Sequence, residues 1–440
     1  CFYLYSILYN KENKMVLLVN LLLFIIILIN FVNTNEIEFC LKDKESCENK
    51  YINNKRYILY DVNQSEGFNL RRDVYIRIGV FVKSLINHDH KYQWNLVLPP
   101  WSNLYHWKSN TIKQKQLPWS LFFDIESLNK YVKVIELYEF IEEKKIKCIY
   151  FIITEANGAD TVDKVFVLQN DPKMFETGDF KDKNKIVECN KVKLNRELFW
   201  GYNNITANEI ICIEFHGTAS QLVVNLNPSV DKSFMFDHME IPLHDYYGSV
   251  DFWLARRSMR YNKELYEVAN DFRKKYLNST DKNDKTIRPP DWKDEKSKRN
   301  AVGGPYLAIH LRRGDFLTGR SDTVPTIKNA ANQVIKQLKK LELKTVFVAT
   351  DAEDFEYIEL TKHLTGYNVY KYLPTEYQKN KFKDGGIAII DQIIRTYEST
   401  FTFRIQEDRE ILGLPIKSTF NTFCGKKKCP KSSQWTIIYE

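Results

Sequence analysis

Three short segments of the chain combine side chains that could move a proton or bind a phosphate. The first, EGFN at 66–69, follows the apolar segment RYILYDV (56–62), which has the composition of a buried strand. Glycine lets a ligand approach the backbone closely, and open α/β sheets bind ligands at the carboxyl ends of their strands. The carboxylate of Glu66 could therefore act as a general base. The alternative is an ordinary turn acid beside Arg71 and Arg72.

The second segment, HLRRGDF at 310–316, stands at the end of the predicted strand GPYLAIHL (304–311). An arginine in this position, with a glycine nearby, can bind a diphosphate through two hydrogen bonds. Because successive strand residues point to opposite faces, only one of Arg312 and Arg313 should reach the ligand. The alternative is a salt bridge between one of these arginines and Asp315.

The third segment, STFTF at 399–403, precedes RIQEDREILG (404–413), which has the pattern of a helix. A Ser/Thr pair at this point is first of all an N-cap, and Gly413 is the expected C-terminal stop. The same geometry would also present free N–H groups and hydroxyls to a phosphate.

Several other signatures are missing from the sequence. It has no GxxxxGK[ST] phosphate loop, no HExxH metal helix, no GxSxG nucleophile elbow and no DxD triplet. A site without a metal must neutralise phosphate with arginines and helix N-termini. We therefore expect neither a metal nor another cofactor.

The composition excludes some classes of protein. Hydrophobic residues make up 44% of the 440 residues and charged residues 27%, as in globular proteins rather than disordered ones. The formal net charge is +8, but lysines alternate with acids in DKNDK (281–285) and KDEKSKR (293–299), which favours a solvated surface. No zinc-finger or helicase pattern supports nucleic-acid binding.

The N-terminal region predicts entry into the secretory pathway. From Met15 an apolar run of roughly 18 residues follows two lysines and ends at VNT (32–34). We interpret residues 1–34 as upstream residues plus a cleaved signal peptide, and expect 1–14 to precede the true start. The alternative is an uncleaved membrane anchor, although two asparagines in the run disfavour a permanent span.

An oxidising compartment makes disulfides the first interpretation of the cysteines. Pairing of cysteines that are close in sequence predicts three disulfides: Cys40–Cys47, Cys189–Cys212 and Cys424–Cys429. Cys148 then remains as a buried thiol. Asn204 and Asn278 begin sequons and are glycosylation candidates. A third sequon, at Asn63, adjoins Glu66, and we expect it to stay unmodified because the turn is too tight.

Short apolar runs alternate with amphipathic segments, which predicts an α/β fold with two domains. In the first half we predict strands at 56–62, 95–100, 132–138 and 148–154, then long polar connections over 155–200. One helix over 251–277 and a charged loop at 281–300 follow. A new strand–helix–strand series then occupies 304–311, 326–341 and 344–351. We place the N-terminal Rossmann-like domain at 35–245 and the C-terminal one at 246–440.

Taken in order, seven segments closely resemble one family, the GDP-fucose protein O-fucosyltransferases, in the branch that modifies thrombospondin type 1 repeats. The likeness extends from about 56 to 439. Its segments are RYILYDVNQSEGFNLRRDVYIRI, LVLPPWSNLYHWKS, GGPYLAIHLRRGDF, KTVFVATDA, FKDGGIAIIDQ, STFTFRIQEDREILG and TFCG. The resemblance implies a GT-B fold, with two Rossmann-like domains facing a central cleft. It also implies an inverting, metal-independent transfer of fucose from GDP-fucose to a Ser or Thr hydroxyl of folded repeats in the endoplasmic reticulum lumen.

The resemblance also assigns roles to individual residues. Glu66 matches the catalytic base, and Arg312 matches the arginine that binds the diphosphate. The other matched positions are Gly67, Phe68 and Asn69 in the cleft, His310 beside Arg312, Asp391 near the guanosine, and Ser399, Thr400 and Phe401 around the nucleotide and phosphates. The pairs Cys189–Cys212 and Cys424–Cys429 match disulfides of the family. Membrane contact is expected only with an uncleaved anchor.

One segment departs from the family pattern. Between Gln392 and Ser399 the family carries about eight more residues, enough for a strand. We interpret the difference as a gene-model error. If it is real, it should misplace Ser399 and Thr400 or leave part of the sheet empty. The alternative function is then a catalytically silent module that binds and helps to fold the repeats.

Overall fold

The computed structural model describes residues 54–102, 104–107, 109, 111–143, 160–189, 205–319, 322, 324–396, 403–415, 423, 425 and 436–440. Several predictions fall outside these ranges: the signal peptide, Asn204, Ser399 to Phe401, and cysteines 40, 47, 148, 424 and 429. The described residues of 57–90 and of 94–440 belong to one compact unit, which contains the site residues discussed below.

Ten strands and eleven helices form the described part of the chain. The strands are β1 Lys55–Tyr60, β2 Gln93–Leu98, β3 Val134–Glu136, β4 Asp160–Gln169, β5 Lys183–Val187, β6 Ile205–His216, β7 Ser233–Asp237, β8 Leu307–Leu311, β9 Thr345–Thr350 and β10 Asn368–Tyr370. The helices are α1 Phe68–His88, α2 Ile125–Asn129, α3 Pro172–Thr177, α4 Val250–Ser258, α5 Lys263–Tyr276, α6 Asp281–Asp284, α7 Gly314–Gly319, α8 Ile327–Lys340, α9 Asp354–His363, α10 Glu376–Thr396 and α11 Phe403–Leu412.

The first sheet has seven strands in the order β3-β2-β1-β7-β4-β6-β5. Strands β1, β7, β4 and β6 are parallel to one another, and β5 closes the edge antiparallel to β6. All five residues of β7 (SFMFD) are buried, as expected for a central strand covered on both faces. The sheet places the turns after β1 and after β7 side by side.

The second described sheet has three parallel strands in the order β10-β9-β8. Its core joins apolar residues of β8 and β9 to the buried faces of α8 and α9. Helix α8 shows the predicted 3.6-residue spacing, with Ile327, Ala330, Val334 and Leu338 buried. Within the described residues β8 is an edge strand of this sheet.

Two predictions about the middle of the chain were wrong. Residues 155–200 are not only polar connections, because β4 lies in the centre of the first sheet and β5 at its edge. The buried run VFVL within β4 (165–168) favours a strand, whereas β5 (KNKIV) is largely exposed and has no apolar face to indicate one. The predicted helix 251–277 is two helices, because the chain breaks after Ser258 and Asn262 caps α5 by accepting a hydrogen bond from Glu264 N.

Two other expectations have a clear outcome. The Cys189–Cys212 disulfide is confirmed, and it joins the end of β5 to β6. In the described part of the chain, we find no helix with the length and hydropathy that a membrane span requires.

Candidate active site

Glu66 lies in a tightly held turn between β1 and α1. Its backbone N–H donates to Asn63 O at 3.0 Å, which closes the turn. Arg71 is buried and donates from Nε to Glu66 O at 3.1 Å and from Nη2 to Asn63 O at 2.9 Å. One arginine therefore fixes the backbone on both sides of the carboxylate, which is partly buried. This is the position at the carboxyl end of a strand that the sequence predicts for a general base.

The surroundings of Glu66 make it a stronger base than a free glutamate. Burial raises the pKa of its carboxyl group, the negative charge of Glu240 raises it further, and the positive charge of Arg71 opposes both effects. A general base works best when its pKa lies close to the working pH. The local electrostatics therefore suit Glu66 for proton abstraction.

The three residues after Glu66 have different surroundings. A Cβ atom on Gly67 would come within 3.2 Å of His106 Nε2, so the glycine permits a close approach of two loops. The Phe68 ring packs against Trp101, with ring centroids 4.8 Å apart. Asn69 is exposed, and its Oδ1 accepts a hydrogen bond from Arg72 Nη1 at 3.4 Å. Phe68 thus holds the start of α1 in the core, while Gly67 and Asn69 border the space around Glu66.

The two arginines after β8 have different environments. Arg313 is buried and donates to Glu356 Oε1 from Nε at 3.0 Å and to Pro325 O from Nη1 at 2.7 Å. Arg312 is only partly buried, and its guanidinium lies over the Phe316 ring, 4.3 Å from the centroid. Arg313 therefore positions the loop through its contact with Glu356. Of the two arginines, Arg312 is the less buried one.

His310, Arg395 and Asp391 lie near one another where β8 meets the end of α10. Burial lowers the pKa of His310 well below its usual range, and the charges of Arg395 and Arg312 lower it further, so the imidazole is neutral. Burial raises the pKa of Asp391 to about 7, while Arg395 and Lys371 oppose the rise. Asp391 Oδ1 and Arg395 Nη1 are buried without a hydrogen-bond partner among the described residues. A carboxylate oxygen and a guanidinium nitrogen that are buried without partners among the described residues are suited to bind a polar ligand.

Arg395 was missed by the sequence analysis, although its position could have indicated it. It follows Asp391 by four residues, so the two side chains share one helix face. The helix end is fixed to the sheet because Tyr306 OH donates to Ile394 O at 2.6 Å.

A buried ion network holds α11, the helix that follows the Ser399–Phe401 segment. Arg256 of α4 donates to Glu407 Oε2 and to Asp408 Oδ1, each at 2.6 Å. Arg404 of α11 pairs with Glu407 and with Asp73 of α1. The prediction that this helix ends at Gly413 is confirmed, because α11 stops at Leu412 and Gly413 has a left-handed φ of 76°. The network ties the helix of the third segment to the helix that follows Glu66.

A second connection runs through the FKDGG segment. Asp384 Oδ2 accepts hydrogen bonds from Ser109 N at 2.9 Å and from Gln114 Nε2 at 3.0 Å. A Cβ on Gly385 would lie 2.7 Å from the Phe122 ring and 2.8 Å from the Trp107 ring, so only glycine fits there. These contacts position the helix that carries Asp391 against the loop that carries His106.

The comparisons with known proteins place this arrangement in a family. The family model of the GDP-fucose protein O-fucosyltransferases matches residues 57–412, which include Glu66, Arg312 and Asp391. The chain belongs to the GDP-fucose protein O-fucosyltransferase family. It is therefore a glycosyltransferase, as the sequence predicts.

Individual relatives agree with the family assignment. GDP-fucose protein O-fucosyltransferase 2 of Homo sapiens is 42% identical over 88% of this chain and 90% of its own length. The same enzyme of Caenorhabditis elegans is 43% identical over 88% and 91%, and that of Plasmodium berghei (strain Anka) is 24% identical over 81% and 70%. The crystal structure of POFUT1 in complex with GDP-fucose matches with a TM-score of 0.50 and 14% identity, over 81% of this chain and 94% of that one. The fold prediction is confirmed, whereas the domain boundaries remain a prediction.

Asn63, which we expect to remain unglycosylated, lies in a hydrogen-bonded turn. Its Oδ1 accepts hydrogen bonds from the backbone N–H and the hydroxyl of Ser65, each at 3.1 Å, and its own N–H donates to Glu240 Oε2. Asn278 is exposed at the end of α5. Peptide mapping after enzymatic glycan release should find a modified Asn278 and an unmodified Asn63. A glycan on Asn63 in active protein would contradict this.

Proposed function

We propose that this protein transfers fucose from GDP-fucose to a Ser or Thr hydroxyl of folded thrombospondin type 1 repeats in the endoplasmic reticulum lumen. The observation that carries the proposal is the carboxylate of Glu66, held in a rigid turn with a raised pKa inside the region that the family model matches. The relatives' names support GDP-fucose as the donor and a protein as the acceptor. The choice of repeat and of compartment rests on the sequence resemblance and the secretory signal.

The proposed reaction is a single displacement at C1 of the fucose. Glu66 accepts the proton of the acceptor hydroxyl as its oxygen forms the bond to C1, and the bond between C1 and the diphosphate oxygen breaks. Attack opposite the leaving group inverts the configuration at C1. GDP leaves with the electron pair of the broken bond, so charge develops on its terminal phosphate.

Arginines would stabilise the departing GDP in place of a metal. Arg312 can form paired hydrogen bonds to phosphate oxygens, and Arg395 has an Nη1 without a hydrogen-bond partner in the part of the chain that the structure describes. Neutral His310 can donate one hydrogen bond without adding charge. We therefore propose a metal-independent reaction, in which an excess of chelator leaves the rate unchanged.

Donor competition and acceptor folding test this proposal. GDP should compete with GDP-fucose, and UDP should not. A folded repeat should be modified, and the same repeat after reduction and alkylation should not. Equal inhibition by UDP, or equal transfer to the unfolded repeat, would contradict the proposed substrates. The configuration of the product linkage, read by NMR, should be opposite to that of the donor.

Asp391 should make GDP binding dependent on pH. Burial raises its pKa to about 7, so the carboxyl group is largely ionised above that pH and protonated below it. If the ionised form accepts N–H groups of guanine, GDP affinity should fall by about tenfold per pH unit below about pH 7. Titration calorimetry from about pH 6 to about pH 8 measures this. Asp391→Asn should bind weakly at every pH, without this slope, and an unchanged slope in that variant would exclude Asp391 as its source.

The shortened segment before Ser399 favours one alternative function. Helix α10 continues to Thr396, and β8 is an edge strand within the described residues. A donor site that lacks a neighbouring strand could leave a module that binds folded repeats without transferring fucose. Such a module would bind repeats with native affinity and leave GDP-fucose intact.

A further inference from the structure

The loop after β7 lies directly against the turn that carries Glu66. Glu240 Oε2 accepts a hydrogen bond from Asn63 N at 3.1 Å, and Met239 N donates to Asp61 O at 3.0 Å. The loop is itself fixed on α1, because Arg77 Nη1 donates to Glu240 O at 2.9 Å and to Pro242 O at 2.7 Å. The position of Glu240 relative to the turn is therefore defined from both sides.

Glu240 is held as an anion in this position. Burial disfavours its charged form, but hydrogen bonds from His238 and from backbone N–H groups outweigh burial and keep the pKa of Glu240 below its usual range. His238 Nδ1 lies 2.8 Å from Glu240 Oε1. His238 also adopts a left-handed φ of 64°, an uncommon conformation for a residue with a side chain. A residue with an uncommon backbone conformation therefore supports a partly buried carboxylate, which is typical of functional sites.

We propose that Glu240 is a positioning residue for Glu66, which fixes the turn that carries Glu66 through its hydrogen bond from Asn63 N. The negative charge of Glu240 also raises the pKa of Glu66. The inference rests on the proposed function, in which Glu66 accepts the proton. Nothing in the sequence resemblance assigns a role to Glu240. Its signal in the sequence is the same as for Glu66: a carboxylate just after a buried strand, here SFMFD (233–237).

The other charged groups near Glu66 do not replace the effect of Glu240 on the pKa of Glu66. Arg71 faces Glu66 and lowers its pKa, so the net rise depends on burial and on Glu240. His106 approaches Gly67 from the loop after β2. The charge of Asp61 acts on Arg71. Asp237 Oδ2 lies 3.9 Å from His238 Nε2. Among these groups, Glu240 is the carboxylate whose charge raises the pKa of Glu66, and glutamine removes that charge without shortening the side chain.

The test compares Glu240→Gln with the wild type over a range of pH. Glutamine keeps the length and can still accept from Asn63 N, but it carries no charge. In the plot of kcat/KM against pH, we expect the acidic limb to move to lower pH. We expect kcat at neutral pH to fall by roughly threefold to tenfold, and KM for GDP-fucose to stay the same. Glu240→Asp, which keeps the charge, should retain the wild-type position of the limb. Glu209→Gln removes an exposed carboxylate paired with Lys164 on the first sheet and should change nothing.

A second readout separates this inference from the proposed function. The pKa of Glu66 can be followed without turnover by carbon-13 NMR of labelled carboxyl groups, with Glu66→Gln identifying its signal. If Glu240→Gln lowers that pKa, the inference holds even if the wild type transfers no fucose and the proposed function fails. If the pKa and the acidic limb stay in place while activity falls equally at every pH, Glu240 has only a structural role and the inference is wrong.

Discussion

Replacing Glu66 with glutamine is expected to lower kcat by about 10²- to 10⁴-fold, the usual contribution of a general base. Glutamine has nearly the same size but cannot accept the proton of the acceptor hydroxyl. The turn should stay intact, because Arg71 binds backbone oxygens rather than the Glu66 carboxylate. GDP affinity should be unchanged, since the proposed phosphate contacts lie at Arg312 and Arg395.

Steady-state kinetics with a folded repeat, together with calorimetry for GDP, measure both parts of this result. The matched control is Glu126→Gln, which makes the same chemical change on α2, where the side chain is 80% exposed. The control should keep the wild-type rate. A Glu66→Gln protein that retains more than about a tenth of kcat would rule out Glu66 as the base.

Replacing Glu407 with glutamine is expected to lower the free energy of unfolding by about 3–5 kcal/mol. Glu407 is fully buried and pairs with Arg256 and Arg404 at once. Its loss removes one negative charge from the buried network and leaves Arg256 with Asp408 and Arg404 with Asp73 as their remaining carboxylate partners. Denaturant unfolding followed by tryptophan fluorescence measures the change. Donor binding should weaken in parallel, because α11 follows directly on the Ser399–Phe401 segment.

An exposed ion pair provides the control for Glu407. Glu376 is 80% exposed and pairs with Lys379, so Glu376→Gln should change stability by no more than about 1 kcal/mol. Replacing both partners, as in Arg256→Met with Glu407→Leu, should restore part of the loss, because it removes one charge of each sign from the network. If Glu407→Gln has no larger effect than Glu376→Gln, the network does not stabilise the helix.

The sequence allowed the local setting of Glu66 and Arg312 to be predicted, because both follow strands that are almost wholly apolar. Buried parallel strands need no alternation, so RYILYDV and GPYLAIHL indicate strands by composition alone. The carboxyl ends of such strands then locate the site. Helix α8 could be predicted for a similar reason, since its apolar spacing and the Thr326 cap agree.

Other parts of the structure depend on contacts that a sequence pattern does not contain. Strand β5 is an exposed edge strand that exists because β6 offers it a partner. The break after Ser258 lets Tyr261 stack on Phe123, with ring centroids 5.6 Å apart, and no helix-breaking residue marks it. Glu240 lies 177 positions from Asn63, so its contact with the turn follows only from the strand order β1-β7.

Mass spectrometry of a fucosylated repeat tests most directly whether this chain is an active fucosyltransferase with Glu66 as its base. The protein would be incubated with GDP-fucose and a folded thrombospondin type 1 repeat, and the mass of the repeat measured. We expect a gain of one deoxyhexose with the wild type and none with Glu66→Ala. The proposed activity is wrong, and the silent binding module is favoured, if neither the wild type nor a variant with the family's additional residues restored before Ser399 gives a gain while both still bind the repeat.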